Sequence, residues 1–344
     1  MRVLATALLA GLLAARAEAS VIAPGAVVHG DTVFLSSAEG IAAAHDAASG
    51  VRRWSSTDAA RPLAAHETRV LAQAPAPPGQ LRLLVLAAAS GQRISETSVD
   101  LPPGVAAPID DTEDTRFLVD VEQAGPRVRL SWTWENRPMR GALEEEGDDE
   151  TRRAEGAVVV DLATGRFSAE PSRRAAGPEQ LPIVLAREAD TGAFRERPLR
   201  VGPWFVATQA TSSGLVLKRW TEAAVAMPDV ALPPDVTLQM GSADGRYLLL
   251  SREIAGAPLE AAHEWTVVSL DAGSQVATLR APTAAAAFAV TASRVVVVQQ
   301  AWEHRTGSGW RRDPRRVEAF DRTSGAPAWT QEIRDTAYRG PVAP

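Results

Sequence analysis

The chain has 344 residues, with 36 basic and 42 acidic side chains, and its formal net charge is −6 at pH 7. An acidic balance of this kind does not attract polyphosphates, so nucleic acid is not expected as a partner. The sequence contains no cysteine, which excludes disulfide bonds, thiolate nucleophiles and cysteine-ligated zinc and leaves the fold dependent on its core.

Residues 1–19 have the composition of a secretory signal peptide. Arg2 precedes an apolar run over residues 3–15, and Ala17-Glu18-Ala19 is a small-x-small cleavage site. A membrane anchor is the alternative, but this run is shorter than the roughly 20 residues that a spanning helix needs. We therefore expect a mature bacterial chain from Ser20 that is periplasmic or secreted and has no transmembrane segment after the signal peptide.

The first unit of the expected mature chain reads as four short strands joined by hairpin turns. These strands cover residues 26–29, 32–37, 41–46 and 51–56. Four strands with this punctuation are typical of one propeller blade. Weaker units follow, and the fourth unit of the chain is expected to begin with a strand over residues 181–186.

A turn glycine marks each unit. The six glycines are Gly50, Gly91, Gly165, Gly214, Gly273 and Gly325. Because blades take about 40 to 50 residues, the long interval between Gly91 and Gly165 leaves room for a further blade. We therefore predict an all-β fold over residues 20–344, a single β-propeller of four-stranded blades, with six visible in the sequence and seven possible.

One pattern occurs near both ends of this domain. Residues 44–54 and 319–329 both read Ala-x-Asp-x-x-Ser-Gly-x-x-x-Trp. The Asp and Ser side chains can accept hydrogen bonds from the turn, the Gly supplies a positive φ, and the Trp can pack against a neighbouring unit. A third copy lacks only the Trp. The structural repeat residues are therefore Asp46, Ser49, Gly50, Trp54, Asp161, Thr164, Gly165, Asp321, Ser324, Gly325 and Trp329.

This pattern resembles the repeat of the PQQ-like (quinoprotein-like) β-propellers, whose consensus is Ala-x-Asp-x-x-Thr-Gly-x-x-x-Trp. In size and repeat type the chain is also similar to the propeller scaffold of the outer-membrane protein assembly machine, which holds partners through loops on one face. The quinone-dependent dehydrogenases of the family are longer and stack their cofactor on an adjacent-cysteine pair. This chain has no cysteine, so no cofactor is predicted.

The long polar insertions are expected between the second and third strands of their units, at residues 136–156, 253–264 and 303–316. Equivalent loops of a propeller emerge on one face. Two insertions begin with Trp-Glu-x-Arg, and Trp and Arg are favoured interface anchors. The candidate partner-binding residues are Trp134, Glu135, Arg137, Trp302, Glu303, Arg305 and Trp310. The alternative is a structural role in ion pairs and inter-blade packing.

Other constellations give weaker signals. The acidic run over residues 144–150 could bind a divalent cation, but it lacks the alternating ligand spacing of a calcium loop, and solvation or contact with the arginine-rich stretch 310–316 is the alternative. The five histidines are scattered, and no motif of a metal hydrolase or serine hydrolase occurs. No catalytic, cofactor-binding or metal-binding residue is predicted.

The combined features predict a non-catalytic, exported propeller that acts as a monomeric protein-binding or scaffolding module of the bacterial cell envelope. The alternative is a ligand binder or quinoprotein-type enzyme that uses the central channel. Because the first and last units carry the fullest repeats, we expect them to be neighbours in space and to seal the ring.

Overall fold

The computed structural model describes residues 20–23, 25–109, 115–136, 152–170, 181–284, 287–306 and 309–334. Over these residues the protein is nearly all-β, with six sheets of four consecutive antiparallel strands and one α-helix. Each sheet is one blade of a β-propeller, which confirms the predicted fold class. The described residues form six blades.

The first half of the chain forms three blades and an additional strand. Blade 1 contains β1 (Ser20–Ala23), β2 (Ala26–His29), β3 (Thr32–Ser36), β4 (Ala42–Asp46) and β5 (Arg52–Ser56). Blade 2 contains β6 (Arg61–His66), β7 (Arg69–Ala74), β8 (Gln80–Ala87) and β9 (Arg93–Asp100). Blade 3 contains β10 (Thr115–Ala124), β11 (Arg127–Asn136), β12 (Arg152–Asp161) and β13 (Arg166–Glu170).

The second half begins with the helix α1 (Ile183–Asp190) and forms three more blades. Blade 4 contains β14 (Leu199–Val201), β15 (Trp204–Thr211), β16 (Gly214–Thr221) and β17 (Val230–Ala231). Blade 5 contains β18 (Thr237–Gly241), β19 (Tyr247–Glu253), β20 (His263–Ser269) and β21 (Ser274–Ala281), with a 3-10 turn at Leu259–Ala261. Blade 6 contains β22 (Ala287–Val290), β23 (Arg294–Gln299), the inserted hairpin of β24 (Trp302–Thr306) and β25 (Gly309–Asp313), and then β26 (Arg316–Asp321) and β27 (Pro327–Glu332).

The residue types of the strands follow their position in the blade. In β23 five consecutive residues are buried, because other blades cover both faces of this second strand. The fourth strand β27 alternates between exposed and half-buried residues, as expected for an outer edge. Side-chain burial therefore decreases from the middle of each blade to its outer edge.

Five apolar clusters join neighbouring blades, and we call each such interface a seam. Each cluster contains residues of both blades. Representative pairs are Phe34 with Leu84 (blades 1 and 2), Leu71 with Leu130 (2 and 3), Val206 with Leu250 (4 and 5), Leu249 with Val297 (5 and 6), and Val33 with Val296 (6 and 1). Ser37 and Ile333 also form a β-bridge across the last of these seams. The expectation that the first and last blades are neighbours is therefore confirmed.

The start of the fourth unit differs from the sequence interpretation. Residues 181–186 were expected to form a strand, but the helix α1 begins at Ile183, directly after Pro182. Its Leu185 is buried against Phe205 and Trp220 of blade 4. The tertiary contact decides the conformation, because an apolar run this short fits a strand or one helical face equally well.

The marker glycine of the fourth unit lies at a different turn from the other five marker glycines. Gly214 begins β16, so it lies at the turn between the second and third strands of blade 4. The turn that is equivalent to those at Gly50 and Gly325 begins at Thr221, where the amide N–H groups of Ala224 and Val225 bond to Thr221 and no glycine is present.

Candidate partner-binding face

The two ends of the blades carry different structures. The turns between third and fourth strands lie at one end, which we call the turn face. The connections between second and third strands lie at the other end, which we call the loop face, because strand direction alternates within an antiparallel sheet. Most of the repeat residues belong to the turn face, and the candidate partner-binding residues belong to the loop-face insertions or the strands that lead into them.

The repeated turns are built by an aspartate. Asp46 Oδ1 accepts hydrogen bonds from the backbone N–H of Ala48 at 3.1 Å, from the N–H of Ser49 at 2.8 Å and from the Ser49 hydroxyl at 2.8 Å. Gly50 completes the turn with φ +73°. Three sequence-predicted repeat residues therefore act within one turn.

The same turn is repeated in other blades. Asp321 Oδ1 accepts from the N–H and hydroxyl of Ser324 at 2.9 and 3.0 Å. In the partial copy, Asp161 Oδ1 accepts from the Thr164 N–H at 3.0 Å. Gly165 has φ +72° and Gly325 has φ +70°. All of these residues maintain the turn.

Hydrogen bonds within the turn and neighbouring arginines lower the pKa of two of these carboxyl groups. A hydrogen bond from Arg53 at 2.6 Å, together with the bonds from Ser49, holds the pKa of Asp46 well below its usual range. The backbone N–H of Ser324 is the main cause that lowers the pKa of Asp321, and Arg294 lies 2.6 Å from its Oδ2.

These lowered pKa values predict a pH dependence of stability. A carboxyl group whose pKa is lower in the folded protein stabilises the fold fully above its unfolded pKa of about 3.9, and this contribution is lost as the pH falls through the folded value. We expect the urea midpoint to fall below about pH 4. The doubly substituted Asp46→Asn, Asp321→Asn variant should show a shallower fall over the same pH range.

The matched control for this pH experiment is Asp100→Asn, at the exposed end of the outer strand β9. It should leave the slope of the urea midpoint against pH unchanged. The same slope in wild type and in the double variant would contradict the role of the two turn carboxylates.

The repeated tryptophans lie between blades. The Trp54 Nε1 donates a hydrogen bond to the Ala88 carbonyl in the turn of blade 2 at 2.8 Å, and the Trp329 Nε1 donates to the Ala47 carbonyl of blade 1 at 2.9 Å. A Cβ on Gly50 would lie 2.6 Å from Cγ of Trp329. Each ring therefore needs a residue without a side chain in the turn that it covers.

Arginines make the same contact in other seams, and the sequence pattern did not indicate them. Arg69 donates to the Leu162 carbonyl of blade 3 at 2.9 Å, and Arg219 donates to the Leu270 carbonyl of blade 5. In four seams the turn carbonyl one residue after the Asp position, or its equivalent, thus accepts a hydrogen bond from the preceding blade. The only signal in the sequence is that Arg69 begins a second strand.

The loop-face insertions lie where the sequence predicts them. Residues 137–151 follow β11, residues 254–262 follow β19, and the hairpin β24–β25 follows β23, each before the third strand of its blade. The hairpin register sets Glu303 opposite Arg312 and Arg305 opposite Trp310. Trp302 begins the hairpin. The insertion of blade 6 is thus a β-hairpin of its own.

The tryptophan of the Trp-Glu-x-Arg motif in blade 3 does not lie on an exposed rim. Trp134 is 7 % exposed and belongs to the cluster between blades 2 and 3, together with Val105 and Trp132. Its expected place on an exposed surface is therefore wrong, because β11 continues through this position and Trp134 packs within that cluster. Glu135 is half-buried in the same strand, and Arg137 and the acidic run 144–150 lie outside the described residues.

The channel edge of blade 1 carries an additional strand. β1 pairs with β2 on the side away from β3, and it contacts β6 of blade 2 and β22 of blade 6. Two cavities of about 260 and 290 Å³ lie beside α1, at Phe194 and Arg195, and at the rim of the seam between blades 6 and 1, at His45 and Glu332. Neither is lined by β1.

No set of three metal-ligating side chains comes together in the described part of the chain. Within those same ranges, no helix is sufficiently long and apolar to cross a bilayer. The described residues thus provide no metal site to which a function could be attached.

No protein-family model and no curated protein matches the chain. Among solved structures, Hsv2p from Kluyveromyces lactis is similar at 11 % identity and a TM-score of 0.35, over 88 % of this chain and 96 % of that one. The isopeptidase AtxE2 is similar at 14 % identity and a TM-score of 0.32, over 90 % of this chain and 49 % of that one. At these scores the similarities carry no argument about activity or partners.

Proposed function

We propose that this protein is an exported, non-catalytic propeller of the PQQ-like repeat type that acts as a protein-binding scaffold in the bacterial cell envelope. The observation that carries the proposal is the placement of the insertions in blades 3, 5 and 6. In all three blades the strands that flank the insertion end and begin on the loop face. Loops that extend from a rigid scaffold are the usual place for binding residues.

The hairpin β24–β25 is the best candidate for the contact surface. It brings Trp302, Glu303, Arg305 and Trp310 into one small element with a defined register. Trp and Arg are enriched among the few residues that supply most of the binding energy at protein interfaces. The repeat residues of the turn face are engaged within their own turns and seams, so they support the fold rather than a partner.

The alternative use of the central channel has less support. β1 runs along the channel edge of blade 1 and touches the inner strands of the blades on both sides. The backbone of this strand occupies space that a channel ligand would need. The loop face is therefore the better candidate.

Affinity capture from a periplasmic extract of the source bacterium tests the proposal. The mature chain should retain a protein partner, and the purified partner should bind by calorimetry. The Trp302→Ala, Trp310→Ala variant should bind at least about tenfold more weakly, which is the loss expected from removing interface anchors.

The matched control is Arg246→Ala, which breaks an exposed ion pair with Asp271 on the turn face. It should bind as wild type does. Equal binding by the hairpin variant, with an unchanged circular dichroism spectrum, would refute the loop-face proposal, and so would the recovery of no partner by the wild-type chain.

A further inference from the structure

The second strand of each blade sends alternate side chains towards the two neighbouring blades. In β3, Val33 and Leu35 pack in the seam with blade 6, whereas Phe34 packs in the seam with blade 2. In β23, Val296 and Val298 pack towards blade 1 and Val295 and Val297 towards blade 5. A sealed ring therefore needs apolar residues at both sets of positions.

Blade 3 departs from this rule on the face directed away from blade 2. Val128 and Leu130 pack towards blade 2, and the position between them is Arg129. Arg129 lies opposite Glu122 and 3.9 Å from its carboxylate. On the same face of β10, Leu118 is 52 % exposed. This face is charged and partly exposed, whereas the faces that form the five seams are apolar and buried.

Blade 4 departs from the rule on the face that corresponds to a seam with blade 3. Phe205 and Ala207 occupy the positions that pack against the preceding blade elsewhere. Their cluster consists of Leu185 of α1, Trp220 and the flanking residues Leu181 and Phe194. Phe194 also meets Trp220 edge-on at 5.3 Å between ring centroids. A helix thus covers the apolar face of blade 4.

We infer that the ring is hinged between blades 3 and 4. Within the described residues five seams are apolar and hold the order 4-5-6-1-2-3 together, and no apolar cluster joins blades 3 and 4, so these blades are the two ends of a split ring. Interfaces with few apolar contacts open at the lowest free energy. The seam between blades 6 and 1, which joins the two ends of the sequence, stays closed. This inference does not depend on the identity of a partner.

The absence of cysteine makes the inference directly testable with spin labels. Ala163→Cys with Ala223→Cys places labels in exposed turn positions of blades 3 and 4. Ala48→Cys with Thr323→Cys places labels at the equivalent positions across the seam between blades 1 and 6. Electron–electron double resonance should give a distance distribution several times broader for the first pair than for the second.

A second variant separates the hinge from a local effect of the labelled turns. Leu185→Ala should broaden the distribution of the first pair further, because α1 loses its buried contact, and should leave the second pair unchanged. Distributions of equal width for the two pairs in the otherwise unaltered chain would overturn the inference. An equal broadening of both pairs by Leu185→Ala would overturn it too.

Discussion

A chain that ends at Pro314 should lose its cooperative unfolding transition. The truncation removes β26 and β27, two of the four strands of blade 6. Val317 belongs to the cluster between blades 6 and 1, and Phe320 belongs to the cluster between blades 5 and 6. Each Å² of apolar surface exposed by their loss costs about 25 cal/mol. At this cost, about 200 to 600 Å² of newly exposed apolar surface offsets the roughly 5 to 15 kcal/mol by which domains are stable.

Differential scanning calorimetry would measure this effect. The matched control is a chain that ends at Arg334, which keeps every strand described above. The control should melt in one sharp transition like the full chain, and the shorter chain should show none. A single sharp transition in the shorter chain at the temperature of the control would show that blade 6 is not needed to seal the ring.

The second large effect is expected from Gly50→Ala, which should lower the free energy of unfolding by about 2 to 5 kcal/mol. Two causes add. Gly50 has φ +73°, where a Cβ costs about 1 to 2 kcal/mol. The new methyl group would also lie 2.6 Å from Cγ of Trp329, and displacing that ring costs about 1 to 3 kcal/mol.

Gly30→Ala separates the two causes. Gly30 has φ +58°, but a Cβ there would meet nothing within 4 Å. Its substitution should cost only the backbone term, about 1 to 2 kcal/mol in urea unfolding. In a double-mutant cycle, Trp329→Ala should remove the additional cost of Gly50→Ala. Equal costs at Gly30 and Gly50 would show that the Trp329 ring does not constrain the turn.

The parts of the fold that local chemistry determines could be predicted from the sequence. The Asp46 and Asp321 turns follow from side chains that bond to the next few backbone groups, and the spacing of Gly and Trp repeats with the blade. The position of the insertions follows from the same rhythm. These features need no knowledge of distant contacts.

Other features depend on distant residues and could not be predicted. Residues 181–186 carry an apolar run that suits a strand or a helix, and packing of Leu185 against the apolar face around Phe205 decides between them. The Trp134 motif shares Trp-Glu-x-Arg with the Trp302 motif, but Trp134 is buried in the cluster between blades 2 and 3. Nothing within the motif itself indicates that Trp134 is buried.

The candidate site likewise has features that could be predicted from the sequence and features that could not. The sequence located the loop face through strand order, which is a local property. It did not locate the seam donors Arg69 and Arg219, because an arginine in a strand has no distinctive neighbour in the sequence. Their role becomes evident only when the next blade is placed beside them.

The four hydrogen bonds to the turn carbonyls run in one direction, from a blade to the turn of the blade that follows it. Each of these seams therefore depends on a donor from one blade and on the turn of the next blade. Trp54 is matched to Gly91 rather than to the glycine of its own turn, and Trp329 is matched to Gly50 at the far end of the chain. The residues that would have to be substituted together therefore belong to one seam, which spans two blades, and not to one blade. Grafting or swapping of whole repeats would cut through two such units at once.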